Sequence, residues 1–375
     1  MHSLNVISDG AVLIRDGVIE QVGPSRRVER LAEAQQAAEE IDATGRVVLP
    51  AFIDCYTRLT CGPFRAVTAS REAAAEASQR ALRGWSAQRV ELEARRRLRQ
   101  FLRHGSATVA SVSGDGGDLE LDLRSLRVLD RLRGAGLTAL VPLLAARAAS
   151  PEAAETLATE VLPMLHARRL AAGLAVDVAG WPAESLEGLV ACGERLGLPS
   201  VLFQTTSSES VIEACRLRAL AAILESADSD AIAALAAAPA TAALLLPAQS
   251  FYSSGGDFAP ARALIDAGAG VALATGFDTI ASPTVSLPAV MAIACARMGL
   301  TADEALTAVT VNAAHVLGLG SSIGALQYGM RADLLIADCG DYREIPLYFG
   351  MNPVALVIRG GRVVFPRVES VAAAD

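Results

Sequence analysis

Short apolar runs alternate with helix-length stretches through most of the chain. Runs that read as buried strands begin near Ala51, Ala107, Thr138, Ala172, Ser200, Ala219, Ala242 and Val271. Segments with helical periodicity separate them, including Ala73–Arg103, Asp122–Arg133, Pro151–Arg168, Ala183–Leu196 and Ala259–Ala267. Gly105, Gly136, Gly173 and Gly197 stand just before strands, where helices stop. Eight strands with intervening helices over about 270 residues match the count and length of a (β/α)₈ TIM-type barrel. An open doubly wound sheet also alternates but rarely needs eight repeats. Two more helices, Val285–Met298 and Ala302–Leu317, follow the last strand, the second opened by a Thr301/Glu304 capping box.

The two ends of the chain have a different texture. Ala11–Arg15 and Val18–Val22 are short alternating runs around Asp16-Gly17, a strong hairpin signal. Arg46–Leu49, Asp333–Ala337, Pro353–Arg359 and Arg362–Phe365 also read as strands, the last two joined by Gly360-Gly361. The expected architecture is α/β: a barrel over 51–322, and a small β-sandwich domain built jointly from 1–50 and 323–375.

Composition sharpens this picture. Of the 375 residues, 52% are apolar and 20% charged, enough for a sizeable core. A net charge of −8 argues against nucleic acid or an anionic membrane as a general partner. The arginines between residues 81 and 103 alternate with Glu and Ala at helical spacing, as on a solvated helix face. No apolar run is long enough to span a membrane and no secretory leader is evident, so a cytoplasmic location is expected. The six cysteines are scattered without a close CxxC pair, which favours reduced thiols over a disulfide framework.

Candidate chemistry begins at Val47–Arg58, where an apolar, β-branched run gives way at Asp54 to a polar cluster. Buried parallel strands deliver side chains to a pocket in this way. Strand-end residues elsewhere include Ser113, Asp115, Arg147, Trp181, Gln204, Thr205, Glu225 and Asp278. Ser113–Gly117 is glycine-rich, which alone is a weak phosphate signal and reads better as a barrel loop.

Several segments resemble the imidazolonepropionases, amidohydrolases that open a five-membered ring lactam. They include Leu244-Leu245-Leu246-Pro247, Val271–Thr275, Ala305–Thr310, Asn312-Ala313-Ala314, Gly329–Leu334 and Phe349–Asn352. The Pro50/Asp54 segment, Leu123–Leu132 and Val176-Asp177-Val178 add to the likeness. The resemblance implies a barrel whose mouth holds one divalent metal, zinc or iron, that activates water. In that family a His-x-His pair, a strand-five histidine and a strand-eight aspartate hold the metal, and a strand-six histidine assists. Here those positions carry Tyr56 and Arg58, Gln204, Gly276 and Ile223. A substrate-contacting histidine on strand three is matched by Arg147. The four histidines of the chain, at 2, 104, 166 and 315, fall outside the strand ends.

Three readings follow. The first is a pseudoenzyme without cofactor that binds a small, possibly anionic ligand or a partner protein through Arg58, Arg147, Asp115, Gln204, Glu225 and Trp181. The second is a metal-free enzyme acting on a small cyclic nitrogen compound with Asp278 and Tyr56 in acid–base roles. The third is a metal site rebuilt from Cys55, Cys61, Asp54 or Asp278. The resemblance also implies a homodimer.

Overall fold

The structure, a computed structural model, describes residues 4–63, 70–114, 117–136, 138–147, 150–178, 181–205, 207–253 and 256–366. Eight parallel strands form the barrel: β1 Phe52–Thr57, β2 Ser106–Val112, β3 Ala139–Ala146, β4 Gly173–Asp177, β5 Ser200–Gln204, β6 Ala221–Leu224, β7 Ala242–Leu245 and β8 Val271–Leu273. Each pairs with its sequence neighbour. All begin within a residue of expectation except β6, which starts at Ala221 rather than Ala219. Both faces of these strands are buried, hence their nearly uninterrupted apolar character. Ile53, Ala110, Leu143, Ala175, Val201 and Leu244 point into the barrel. Phe52, Val109, Leu144, Val176, Phe203 and Leu245 pack under the helices.

β1 and β8 meet by side-chain and backbone contacts rather than a full ladder. Thr57 and Phe277 form an isolated parallel bridge, and the Arg58 N–H donates to Phe277 O at 2.8 Å. The Asp54 carboxylate, fully buried on β1, accepts from the Thr275 hydroxyl at 2.7 Å and the Thr275 N–H at 3.2 Å. This staple draws the first and last strands together.

Both ends of the chain build the smaller part. A four-stranded antiparallel sheet runs in the order Arg362–Phe365, Val354–Arg359, Leu334–Ala337, Val47–Pro50. The expected hairpin is present as Gly10–Arg15 and Val18–Pro24. Its turn residues Asp16 (φ 50°) and Gly17 (φ 80°) are both left-handed, as a two-residue turn of matching twist requires. Ile19, Ala332, Leu334 and Ile358 share a small core between the two sheets.

Four local expectations need correction. The helix expected over Ala73–Arg103 is two helices, Arg71–Gly84 and Ala87–Arg103, because Ser86 caps the second by accepting from the Arg89 N–H. The Pro151–Arg168 helix widens to a π-turn over Leu157–Val161, which accommodates Pro163 and its missing N–H. The last helix breaks at Val309-Thr310 into Ala302–Ala308 and Val311–Val316. Gly173 does not stop a helix: the preceding one ends on left-handed Arg169, and Gly173 lies inside β4 against Pro199 and Val201. The Thr301/Glu304 capping box forms as expected.

Candidate functional site

The C-terminal ends of β1 and β5 bring together three of the expected site residues. β1 delivers Tyr56, almost fully buried, and Arg58 follows one residue beyond the strand end. β5 delivers Gln204, whose Nε2 donates to Tyr56 Oη at 2.8 Å. Arg58 Nη2 donates to the same oxygen at 3.3 Å. The phenol thus ties together an amide and a guanidinium across the barrel mouth. Beside them a cavity of about 10 Å³ remains, lined by Tyr56, Arg58, Ala146, Ala175, Asp177 and Gln204. That is close to the room one water needs, against roughly 300–1,000 Å³ for pockets that enclose drug-sized ligands.

Arg147, at the end of β3, sits on the rim. It is half exposed and pairs with Asp177 of β4 at 3.6 Å. Trp181 is half-buried, and its indole Nε1 has no hydrogen-bond partner among the described residues. Glu225 is exposed beyond β6 and accepts from Gln249 Nε2 at 3.0 Å. Asp278 shapes the turn after β8. Its Oδ1 accepts from the Ile280 N–H at 2.7 Å and the Ala281 N–H at 3.0 Å. Asp115 lies outside the described residues.

The polar neighbours of the mouth serve the barrel. Ser113 Oγ donates to Asp122 at 3.1 Å and accepts from the Ala145 N–H at 3.0 Å. Thr205 donates to Ile223 O at 2.7 Å. Burial pushes the Asp54 carboxyl up to about 7, a rise only partly offset by the Thr275 and Tyr56 hydrogen bonds. Burial, and then the charge of Asp54, pushes the Cys55 thiol well up, and burial raises the Cys61 thiol. All six cysteines are free.

Arg97 departs from the expected solvated arginine face. It is only 6% exposed and reaches under the loop after β1. Its Nη1 donates to Leu59 O at 2.6 Å and Cys61 O at 2.7 Å, and its Nη2 to Gly62 O at 2.9 Å. Nothing in the Arg/Glu alternation separates Arg97 from its exposed neighbours. The apolar flanks Ala94, Leu98 and Phe101, on the same helix face, are the signal that could have done so.

Comparison with known proteins agrees with this fold. An amidohydrolase family model matches residues 218–364. The imidazolonepropionase of Geobacillus kaustophilus (strain HTA426) is 33% identical, covering 97% of this chain and 92% of its own length. That of Solibacter usitatus is 34% identical, over 98% and 93%. The chain belongs to the imidazolonepropionase family. Solved amidohydrolase folds superpose on it at lower identity. A zinc-bound adenosine deaminase from Xanthomonas campestris has a TM-score of 0.73 at 17% identity, covering 95% of this chain and 88% of that one. A 5-methylcytosine deaminase from Klebsiella pneumoniae gives 0.72 at 17%, covering 94% and 93%. At this distance the likeness concerns the fold alone. Tyr56, Arg58 and Gln204 make up the mouth cluster within this fold. Among the described residues no three His, Cys, Asp or Glu side chains gather as a metal-binding group would.

Proposed function

We propose that this chain is a non-hydrolytic member of the imidazolonepropionase family, a pseudoenzyme whose metal site has been replaced by its own side chains and which acts by binding. The observation that carries this reading is the Gln204–Tyr56–Arg58 cluster, which leaves a cavity of about 10 Å³ beside it at the barrel mouth. The donor chemistry does not suit a divalent cation. A guanidinium keeps its positive charge and has no lone pair to give, while Ile223 and Gly276 supply no side-chain donor. Gly276 also has a left-handed backbone (φ 59°), and a methyl group there would meet Leu246 Cδ1 at 3.2 Å. An aspartate at this position would be strained and crowded.

The metal-free enzyme reading finds less support, because the Asp278 carboxylate is held by two backbone N–H groups of its own turn. Binding fits the mouth better. Arg58 and Arg147 together outweigh Asp177 at the mouth, so the ligand class is a small anion held at the rim, with Arg147 exchanging Asp177 for the ligand. No cofactor is needed.

The decisive measurement is metal content by plasma mass spectrometry on protein purified without a histidine tag, before and after zinc. Turnover of the ring lactam hydrolysed by the family is measured on the same samples. The expected result is well under one equivalent of any transition metal and no turnover. One tightly held equivalent accompanied by hydrolysis overturns the proposal.

A further inference from the structure

Hydrogen-bond counting at the mouth leaves one donor over. The Tyr56 oxygen accepts from Gln204 Nε2 at 2.8 Å and from Arg58 Nη2 at 3.3 Å. Among the described residues these are the only hydrogen bonds to that oxygen, and in both it accepts. A phenol also carries one proton of its own to donate. With both neighbours on the accepting side of the oxygen, the Tyr56 O–H points away from them. The side chain is only 5% exposed, so bulk solvent does not take that proton. What Tyr56 does face is the cavity of about 10 Å³.

The walls of that cavity set the shape of what it takes. Val112, Ala145 and Ala175 line it with side chains that form no hydrogen bond. Asp177 lines it as well and also belongs to the rim ion pair with Arg147 at 3.6 Å. The room is that of about one water, so it admits a single oxygen of a ligand. A planar oxyanion, such as a carboxylate, nitrate or bicarbonate, enters edge-on with one oxygen and keeps a second at the rim. A tetrahedral one, such as phosphate or sulfate, carries further oxygens out of that plane, where they meet the alanine walls. Charge adds to shape. A hydroxyl donates more strongly to a charged oxygen than to a neutral one, which favours the anion over water at the same spot.

We infer that Tyr56 is the specificity-determining donor of the mouth: its hydroxyl takes one oxygen of a planar oxyanion into the cavity while Arg147 takes another at the rim. This rests on the reading of the mouth as an anion site and names the class of anion. The test is isothermal titration calorimetry of the full chain with sodium acetate and sodium nitrate, against sodium phosphate and sodium sulfate at matched pH and ionic strength. The planar pair is expected to bind roughly tenfold or more tightly than the tetrahedral pair. Tyr56→Phe keeps the ring and removes the donor. It is expected to weaken acetate and nitrate by about tenfold or more and to leave phosphate and sulfate unchanged, so that the preference disappears. Arg147→Gln is expected to weaken all the anions by similar factors and to keep the preference. The preference is read first on the unmutated protein, so the test stands even where the Phe variant folds poorly. Equal affinity for planar and tetrahedral anions, or a preference that survives in Tyr56→Phe, overturns the role of Tyr56 and leaves the mouth an anion site. Absence of saturable binding by any of them overturns both, the cavity then holding water alone.

Discussion

Replacing Arg97 by Met probes the link between the helix layer and the mouth. Methionine matches much of the apolar stem of arginine, so packing against Leu98 and Phe101 changes little. The guanidinium, however, donates to three carbonyls in the loop that leaves β1, and its centre lies 5.8 Å from the Phe277 ring. Leu59 is buried, so its carbonyl loses the donor without gaining water, while the Gly62 carbonyl keeps the Thr279 hydroxyl at 3.1 Å. A stranded buried carbonyl costs about 1–3 kcal/mol, the weakened Cys61 and Gly62 carbonyls add less, and relief of the guanidinium's own desolvation offsets part of the sum. A net loss of about 3 kcal/mol follows. For a chain of this length, with an unfolding entropy of about 2.1 cal/mol/K per residue, that lowers Tm by about 4 °C. Differential scanning calorimetry reads the shift, and hydrogen exchange should show residues 59–63 opening first. Arg97→Lys should recover only part of the loss, because one ammonium cannot span all three acceptors. A Met variant melting within about 1 °C of the parent refutes the idea that this arginine holds the loop.

Two further perturbations test the barrel seam and its packing. Asp54 has a folded pKa near 7 against about 3.8 when exposed, so the folded state holds the proton more tightly. Its contribution is fully present below about pH 4 and is lost as pH rises to 7, at up to about 1.4 kcal/mol per unit. Urea titrations of the parent and Asp54→Asn at pH 4.5, 6 and 8 should therefore diverge in this sense, the parent losing relative stability with rising pH; parallel profiles would rule it out. Gly173→Ala places a methyl group 2.6 Å from Val201 Cγ2 and 2.7 Å from Pro199 O. A loss of about 2–3 kcal/mol is expected from overpacking between β4 and β5, and an unchanged urea midpoint would contradict the close approach.

The barrel was legible because strands buried on both faces must be apolar throughout, and turns must interrupt them. Even single-residue boundaries such as Ser200 and Ala242 followed from that constraint. The terminal sheets were legible from period-two alternation and from Asp16-Gly17. Helix interruptions were harder, since Ser86 and Thr310 sit inside apolar periodicity that continues on either side of the break. In the site, the strand ends pointed to Tyr56, Arg58 and Gln204, which the structure brings together at the mouth, but not to what they do there. Asp278 and Glu225 carry the residue type of an acid–base group, yet the first shapes a turn and the second holds an exposed glutamine. Tyr56 and Gln204 lie far apart in the chain, and only folding brings their side chains to 2.8 Å. Asp177 was seen as part of a strand and not as the rim partner of Arg147, although an ionisable residue ending β4 was the available signal.

The sheet shared by both ends of the chain has a consequence in time. Val47–Pro50 pairs with Leu334–Ala337, whose residues leave the ribosome roughly 280 positions later. At about 5–20 residues per second, the early strand waits on the order of 15–60 s for its partner. Only Ala51 separates that strand from β1, and β1 must itself wait for β8 and Thr275 before the barrel seam closes. Synthesis therefore passes through a long stage in which one end of the nascent chain offers open backbone to any strand that arrives first, and the last tenth of the polypeptide ends that exposure.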